Sequence, residues 1–232
     1  MNFAKVKSIT IPEGVVQRIL RGSEVLWSKS VLPSEYQRVE WIGATGTQWI
    51  NTGVSPQSDD VVWECEWLET ELEYKSCIFA STNESFDSTL RNRFSGNHYH
   101  VQKGELGISL ARTTNICRLP LEAGVKNTLR TVVNNGTVTH TLNGNSASGT
   151  YAGTIKNEWP IGLFATNRTT TMTEWCYYTR MYSWKMTDNG VVVRDMIPCY
   201  RKADGVIGMY DTVSKQFFTN AGTGEFTKGE DV

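Results

Sequence analysis

At 232 residues the chain is long enough for one sizeable β domain with a small appendage, and 23 lysines and arginines against 24 acidic residues leave a net charge of -1. That balance excludes a broad positive field for a nucleic-acid backbone and an acidic excess for a basic partner. The five cysteines, Cys65, Cys77, Cys117, Cys176 and Cys199, are odd in number, widely spread and free of any CxxC pair, which argues against a zinc site or a full disulfide framework and for reduced, mostly buried thiols.

The N-terminal "MNFAKVKSITIPEG" carries charge but no apolar signal region, and no later run is apolar for the length of a bilayer, so the expectation is a soluble chain without membrane insertion. Residues 1–30 read as a separate strand-turn-strand piece around Arg21-Gly22-Ser23-Glu24. Two short strands are marginal in water by themselves, so this piece is expected to dock on the domain that follows or on another protein. Residues 31–232 form the main domain, with the polar, proline-containing "SKSVLPSEY" as the connection.

From there the dominant signal is period-two alternation broken by turn residues, with almost no helical stripe. In "DVVWECEWLE", Val61, Trp63, Cys65 and Trp67 share one face and Val62, Glu64, Glu66 and Leu68 the other, as in a half-buried strand. "TLRTVVNNGTVTHTLNG" is a hairpin turning at Asn134-Asn135-Gly136, and Asn143-Gly144 closes its second run. "EWCYYTRMYSWKM" is apolar at alternate positions on both sides and predicts an inner strand covered on both faces, turned by Asp188-Asn189-Gly190 into "VVVRDMIPC". "VIGMYD" and "QFFTN" form a last hairpin around Thr212 to Lys215.

Four stretches carry a resemblance: "LPSEYQRVEWIGATGTQWINTG", the hairpin ending in "TLNG", "EWCYYTRMYSWKM", and the tail "RDMIPCYRKADGVIGMYDTVSKQFFTNAGTGEF". Together they resemble the laminin-G-like, concanavalin A-like jelly-roll modules of phage and prophage virion proteins from Gram-positive gut bacteria. The likeness runs from about residue 32 to the end, and "ITIPEGVVQRILRGSEVLWSK" is similar to the opening segment of phage structural proteins of the same origin. It implies an all-β, two-sheet antiparallel jelly-roll sandwich with a small N-terminal hairpin arm. It also implies a tail, fibre or capsid-decorating protein, assembled in the bacterial cytoplasm, homo-oligomeric, and joined to other virion proteins through residues 1–30. In such a fold Trp41, Trp63, Trp67 and Trp184 are expected in the core.

For function the expectation is a non-enzymatic, lectin-like module that touches cell-surface or mucus glycans. A sugar site needs a flat apolar plate and convergent hydrogen-bonding groups. The candidates by residue type and loop context are Trp49 and Trp159 as plates, with Arg91, Arg93, His98, Tyr99, His100, Asn167, Arg168 and Glu174 as polar groups. One alternative is a purely structural virion protein. Another is a jelly-roll glycosidase: Glu64, Glu66 and Glu69 stand in an ExExxE spacing, and alternate strand residues can bring two carboxyl groups to the roughly 5 Å that a retaining mechanism needs. Glu69 falls on the other face unless a bulge intervenes. No cofactor is required by this reading. His98 and His100 lack a third metal ligand, Asp59 and Asp60 would be the start of a Ca²⁺ site at most, and no nucleophilic triad is visible.

Overall fold

The computed structural model describes residues 10–11, 14–15, 18–21, 24–28, 32–72, 76–82, 96–102, 105–110, 116–167 and 179–232. By its internal contacts the chain divides into two units, Met1–Ser34 and Glu35–Val232. The first holds two small antiparallel pairs, β1 (Thr10–Ile11) with β2 (Gly14–Val15) and β3 (Arg18–Arg21) with β4 (Glu24–Ser28). The backbone register of this second pair sets Arg21 opposite Glu24.

The second unit is an antiparallel sandwich of jelly-roll type, with no helix among the described residues. Its strands are β5 (Tyr36–Arg38), β6 (Ile42–Ala44), β7 (Ile50–Asn51), β8 (Asp60–Glu69), β9 (Ser76–Thr82), β10 (Gly96–Gln102), β11 (Glu105–Ser109) and β12 (Arg118–Pro120). They continue with β13 (Lys126–Asn134), β14 (Thr137–Leu142), β15 (Asn145–Thr150), β16 (Gly162–Leu163), β17 (Thr166–Asn167) and β18 (Thr179–Asp188). The last four are β19 (Val191–Arg201), β20 (Ile207–Asp211), β21 (Gln216–Thr219) and β22 (Thr227–Lys228). The larger sheet runs β15-β14-β13-β8-β18-β19-β20-β21, with β5 on β19 and β6 bridging β18 and β22. The smaller runs β12-β11-β10-β9-β16-β7, with the short β17 parallel to β9.

Local turn chemistry sets the hairpins. Asn135 (φ 42°) and Gly136 (φ 88°) join β13 to β14, Asn143 (φ 50°) and Gly144 (φ 86°) join β14 to β15, and Asn189 (φ 48°) and Gly190 (φ 75°) join β18 to β19. Asn and Gly occupy this left-handed region at least cost, and two such residues in a row match the twist of the strands they connect. Alternation then decides what is buried. Val61, Trp63, Cys65 and Trp67 of β8 point into the core while Val62, Glu64 and Glu66 stay half-exposed. Trp63, Trp67 and Trp184 are fully buried. Phe79 of the smaller sheet packs against Trp63 at 6.4 Å and edge-on against Trp184 at 5.8 Å, so aromatic rings tie the two layers together.

Trp41 departs from the expectation of a core residue. It is half-buried, its ring lies over Gly43 and Gly229, and the Arg180 guanidinium stacks on it at 4.2 Å. A Cβ on Gly229 would fall 2.6 Å from Trp41 Nε1, so the two glycines form the bed of this ring. The sequence places Trp41 in a β-rich run, but only the approach of the C-terminal β22 segment makes an outer bed for it.

The expectation that the β18 segment is covered on both faces also fails for the residues described; Trp175, Cys176, Tyr177 and Tyr178 lie outside them. β18 is an inner strand between β8 and β19, yet Met181, Trp184 and Met186 are buried while Arg180, Tyr182, Ser183 and Lys185 are half-exposed. A register shift between Met181 and Ser183 brings Tyr182 and Ser183 together at the open face, and Arg180 and Lys185 keep that face solvated.

Cys65, Cys77, Cys117 and Cys199 are buried and form no disulfide with one another. Burial, reinforced by the Glu66 charge, pushes the Cys65 thiol well up, and burial raises Cys117 and brings Cys199 up to about 12 despite a backbone hydrogen bond at Tyr210. Cys65, Cys117 and Cys199 are apolar filler, without the lowered pKa of a nucleophile.

Candidate functional site

The pairing register lays a row of polar side chains across the outer face of the larger sheet. Ser146 of β15 faces Thr141 of β14, which faces Arg130 of β13. Arg130 faces Glu64 of β8, which faces Lys185 of β18, which faces Asp195 of β19. Residues directly opposite in a sheet lie on the same side, so six strands contribute to one stripe. Thr128, Glu66 and Ser183 form a shorter row beside it. Between them runs an open groove of about 310 Å³, lined among others by Glu64, Glu66, Thr128, Arg130, Thr141 and Ser183.

Charge alternates along the groove. Arg130 Nε lies 3.5 Å from Glu64 Oε1 and Lys185 Nζ 3.6 Å from Glu64 Oε2. Lys126 Nζ lies 2.7 Å from Glu66 Oε2 and 4.5 Å above the Tyr182 ring. The Thr141 and Ser146 hydroxyls are 2.8 Å apart, and Thr139 and Ser148 repeat the pair at 3.0 Å. The β14–β15 end of the sheet is therefore a carpet of hydroxyl groups.

Of the residues nominated from sequence, Trp49 and Trp159 are described with their side chains and sit elsewhere. Trp49 is half-buried against the core; Asn220 Oδ1 accepts its backbone N–H at 3.0 Å, and a Cβ on Gly222 would lie 2.8 Å from its Cδ1. Its ring supports the 220–224 loop, which lines a second depression of about 300 Å³ with Asp204, Ile207 and Glu225. Trp159 is half-buried, with its backbone N–H donated to Asn157 Oδ1 at 3.0 Å. Neither tryptophan lines the groove. Of His98, Tyr99 and His100 in β10 and Asn167 in β17 the backbone is described, while Arg91, Arg93, Arg168 and Glu174 lie outside the described residues.

The ExExxE carboxylates do not converge. Glu64 and Glu66 are on the open face, but Glu69 is fully buried on the other and accepts a hydrogen bond from Thr179 Oγ1 at 2.9 Å. The bulge that would have rescued the spacing lies in β18, not β8. Asp59 holds the 154–155 loop, accepting from Ile155 N at 2.7 Å and Thr154 Oγ1 at 2.9 Å. Among the described residues no three His, Cys, Asp or Glu side chains gather as metal ligands would.

Sequence reasoning missed Arg130, Thr141, Ser146, Ser183, Lys185 and Asp195. The Thr-x-Thr-x-Thr alternation of "TVTHT" shows that one face of β14 carries hydroxyls. Nothing local shows that this face continues into Glu64 and Lys185.

No protein-family model and no curated protein matches the sequence. Solved structures do match in fold. A Bacteroides ovatus protein provisionally described as a carbohydrate-binding protein superposes with a TM-score of 0.54 at 9% identity, covering 92% of this chain and 66% of that one. The CBM40 of a Ruminococcus gnavus IT-sialidase, bound to alpha2,3 sialyllactose, gives 0.47 at 16% identity over 66% of this chain and 90% of that one. A family 7 alginate lyase in complex with substrate gives 0.38 at 14%, over 59% and 64%. At 9% identity the likeness to the Bacteroides protein is one of fold, the antiparallel sandwich.

Proposed function

We propose that this chain is a lectin-like, non-enzymatic module that binds glycans in the groove over Glu64 and Arg130. The cross-strand row from Ser146 to Asp195 is the observation that supports this reading. Exposed ion pairs contribute only ~0–1 kcal/mol each to stability, so the fold gains little from Glu64, Arg130 and Lys185. A polyhydroxylated ligand, by contrast, needs just such a dense set of side-by-side donors and acceptors. The test is a glycan array followed by titration calorimetry on the full chain. Glu64→Ala and Arg130→Ala are expected to weaken binding at least about 10-fold, the loss of one charged hydrogen bond, with little change in melting temperature. A sample that binds no glycan at high concentration would return the chain to the purely structural reading.

The same proposal places the module in a phage or prophage virion, attached through residues 1–30 and present in several copies. This part is supported by the sequence resemblance of the N-terminal segment and the tail. Repetition in a symmetric array would turn weak single-site affinity into useful avidity. Deleting residues 1 to 28 is expected to abolish incorporation into particles while residues 31–232 remain folded; particles that still carry the truncated chain would overturn the attachment role.

A further inference from the structure

Each sugar hydroxyl is at once a donor and an acceptor, so a site that satisfies one fully must set an acceptor and a donor side by side. Glu64 does this twice. Its Oε1 stands 3.5 Å from Arg130 Nε and its Oε2 3.6 Å from Lys185 Nζ, both longer than a hydrogen bond. A hydroxyl placed over either gap can donate to the carboxylate and accept from the cation without displacing either. Because the two gaps share one carboxylate, the two hydroxyls they hold are neighbours on one ring.

Charge decides the kind of ring. Arg130 and Lys185 share Glu64, Lys126 pairs with Glu66, and Asp195 faces Lys185 across the sheet, so three cations stand among three carboxylates. An acidic sugar would find no excess of cations there and would bring its own carboxylate up to Glu64 and Glu66, where like charges repel. The Tyr182 face is covered by Lys126, so polar pairing outweighs ring stacking in this groove. Thr141 and Ser146 continue the row on the Arg130 side with hydroxyls alone, a surface equally suited to an uncharged sugar.

Resting on the glycan-binding reading, we infer that the groove selects uncharged pyranoses through two adjacent hydroxyls, one seated between Glu64 and Arg130 and the other between Glu64 and Lys185. The chain therefore recognises a vicinal diol of a neutral glycan and discriminates against uronic and sialic acids.

The experiment uses the full-length chain and titration with neutral methyl hexopyranosides, their singly deoxygenated analogues, and the matching uronic acids and sialic acid. At least one neutral hexoside is expected to bind, and removing either of two adjacent hydroxyls is expected to weaken it roughly 10- to 100-fold, as for hydrogen bonds to charged groups. Arg130→Met and Lys185→Met should each abolish discrimination at one of those two positions and leave the other intact. The Glu64, Arg130 and Lys185 side chains are 40%, 56% and 37% exposed, so the variants are expected to fold, and matching melting curves check this. Preferential binding of acidic glycans, or neutral binding that ignores all three positions, would overturn the inference while leaving a glycan-binding protein. Failure of every sugar would overturn the underlying reading and this inference with it.

Discussion

Asp211→Ala is expected to destabilise the protein by about 3–5 kcal/mol, as does removal of one member of a buried ion pair. Asp211 is fully buried at the end of β20. Its carboxylate accepts N–H bonds from Asp195 at 2.8 Å, Val213 at 3.2 Å and Ser214 at 2.9 Å, and lies 3.6 Å from Arg194 Nη1. Burial by itself would raise its pKa, but the N–H donors of Asp195, Ser214 and Val213 outweigh burial and hold it below the usual carboxylate value. The carboxylate is therefore charged at neutral pH and ties the β20–β21 turn to β19. Arg194 in turn donates from Nε to the Thr52 carbonyl at 2.9 Å, which carries the tie towards β7. Alanine would strand three N–H groups and a largely buried guanidinium at once. Urea unfolding measures the loss, with Asp211→Asn as the milder companion because it keeps one acceptor oxygen. A loss below about 1 kcal/mol for Asp211→Ala would show that water replaces the carboxylate and that the tie is not a structural element.

The second large effect is on acid stability. His140 of β14 is fully buried, paired across the sheet with Thr131, whose Oγ1 is 2.9 Å from its Nδ1. Burial lowers its pKa from 6.5 to about 4. The folded protein thus keeps a neutral ring where the unfolded chain, with its ordinary histidine, takes up a proton. Between pH 6.5 and about 4 the unfolded state binds more protons, so stability falls as the pH falls. A shift of this size corresponds to about 3 kcal/mol once the pH is below the folded value. Above pH 6.5 the group contributes no slope. His140→Asn keeps a polar group near Nδ1 and removes the titration, so its stability-against-pH curve should lack this part of the slope in that window, whatever its absolute stability. Parallel curves for the two proteins from pH 4 to 6.5 would mean that His140 does not couple folding to protonation.

Much of the architecture was legible because its causes are local. The alternation of β8 named Trp63, Cys65 and Trp67 as core residues, and the turns Asn135-Gly136, Asn143-Gly144 and Asn189-Gly190 were readable because few other residues accept positive φ. Trp41 was misread because an aromatic in a β-rich run looks the same whether a second sheet or a pair of glycines lies beneath it. The open face of β18 was misread because a bulge has no reliable signature in the residues that form it.

The sequence alone determined an all-β fold, its hairpins and most of its aromatic core, since these follow from period-two alternation and from backbone preferences acting over a few residues. The tertiary structure alone decided the candidate site. Glu64, Arg130, Thr141, Lys185 and Asp195 come together because β8, β13, β14, β18 and β19 are neighbours in one sheet and in one register. Strand order and register are set by the summed burial of the whole core, which no single stretch of the chain encodes.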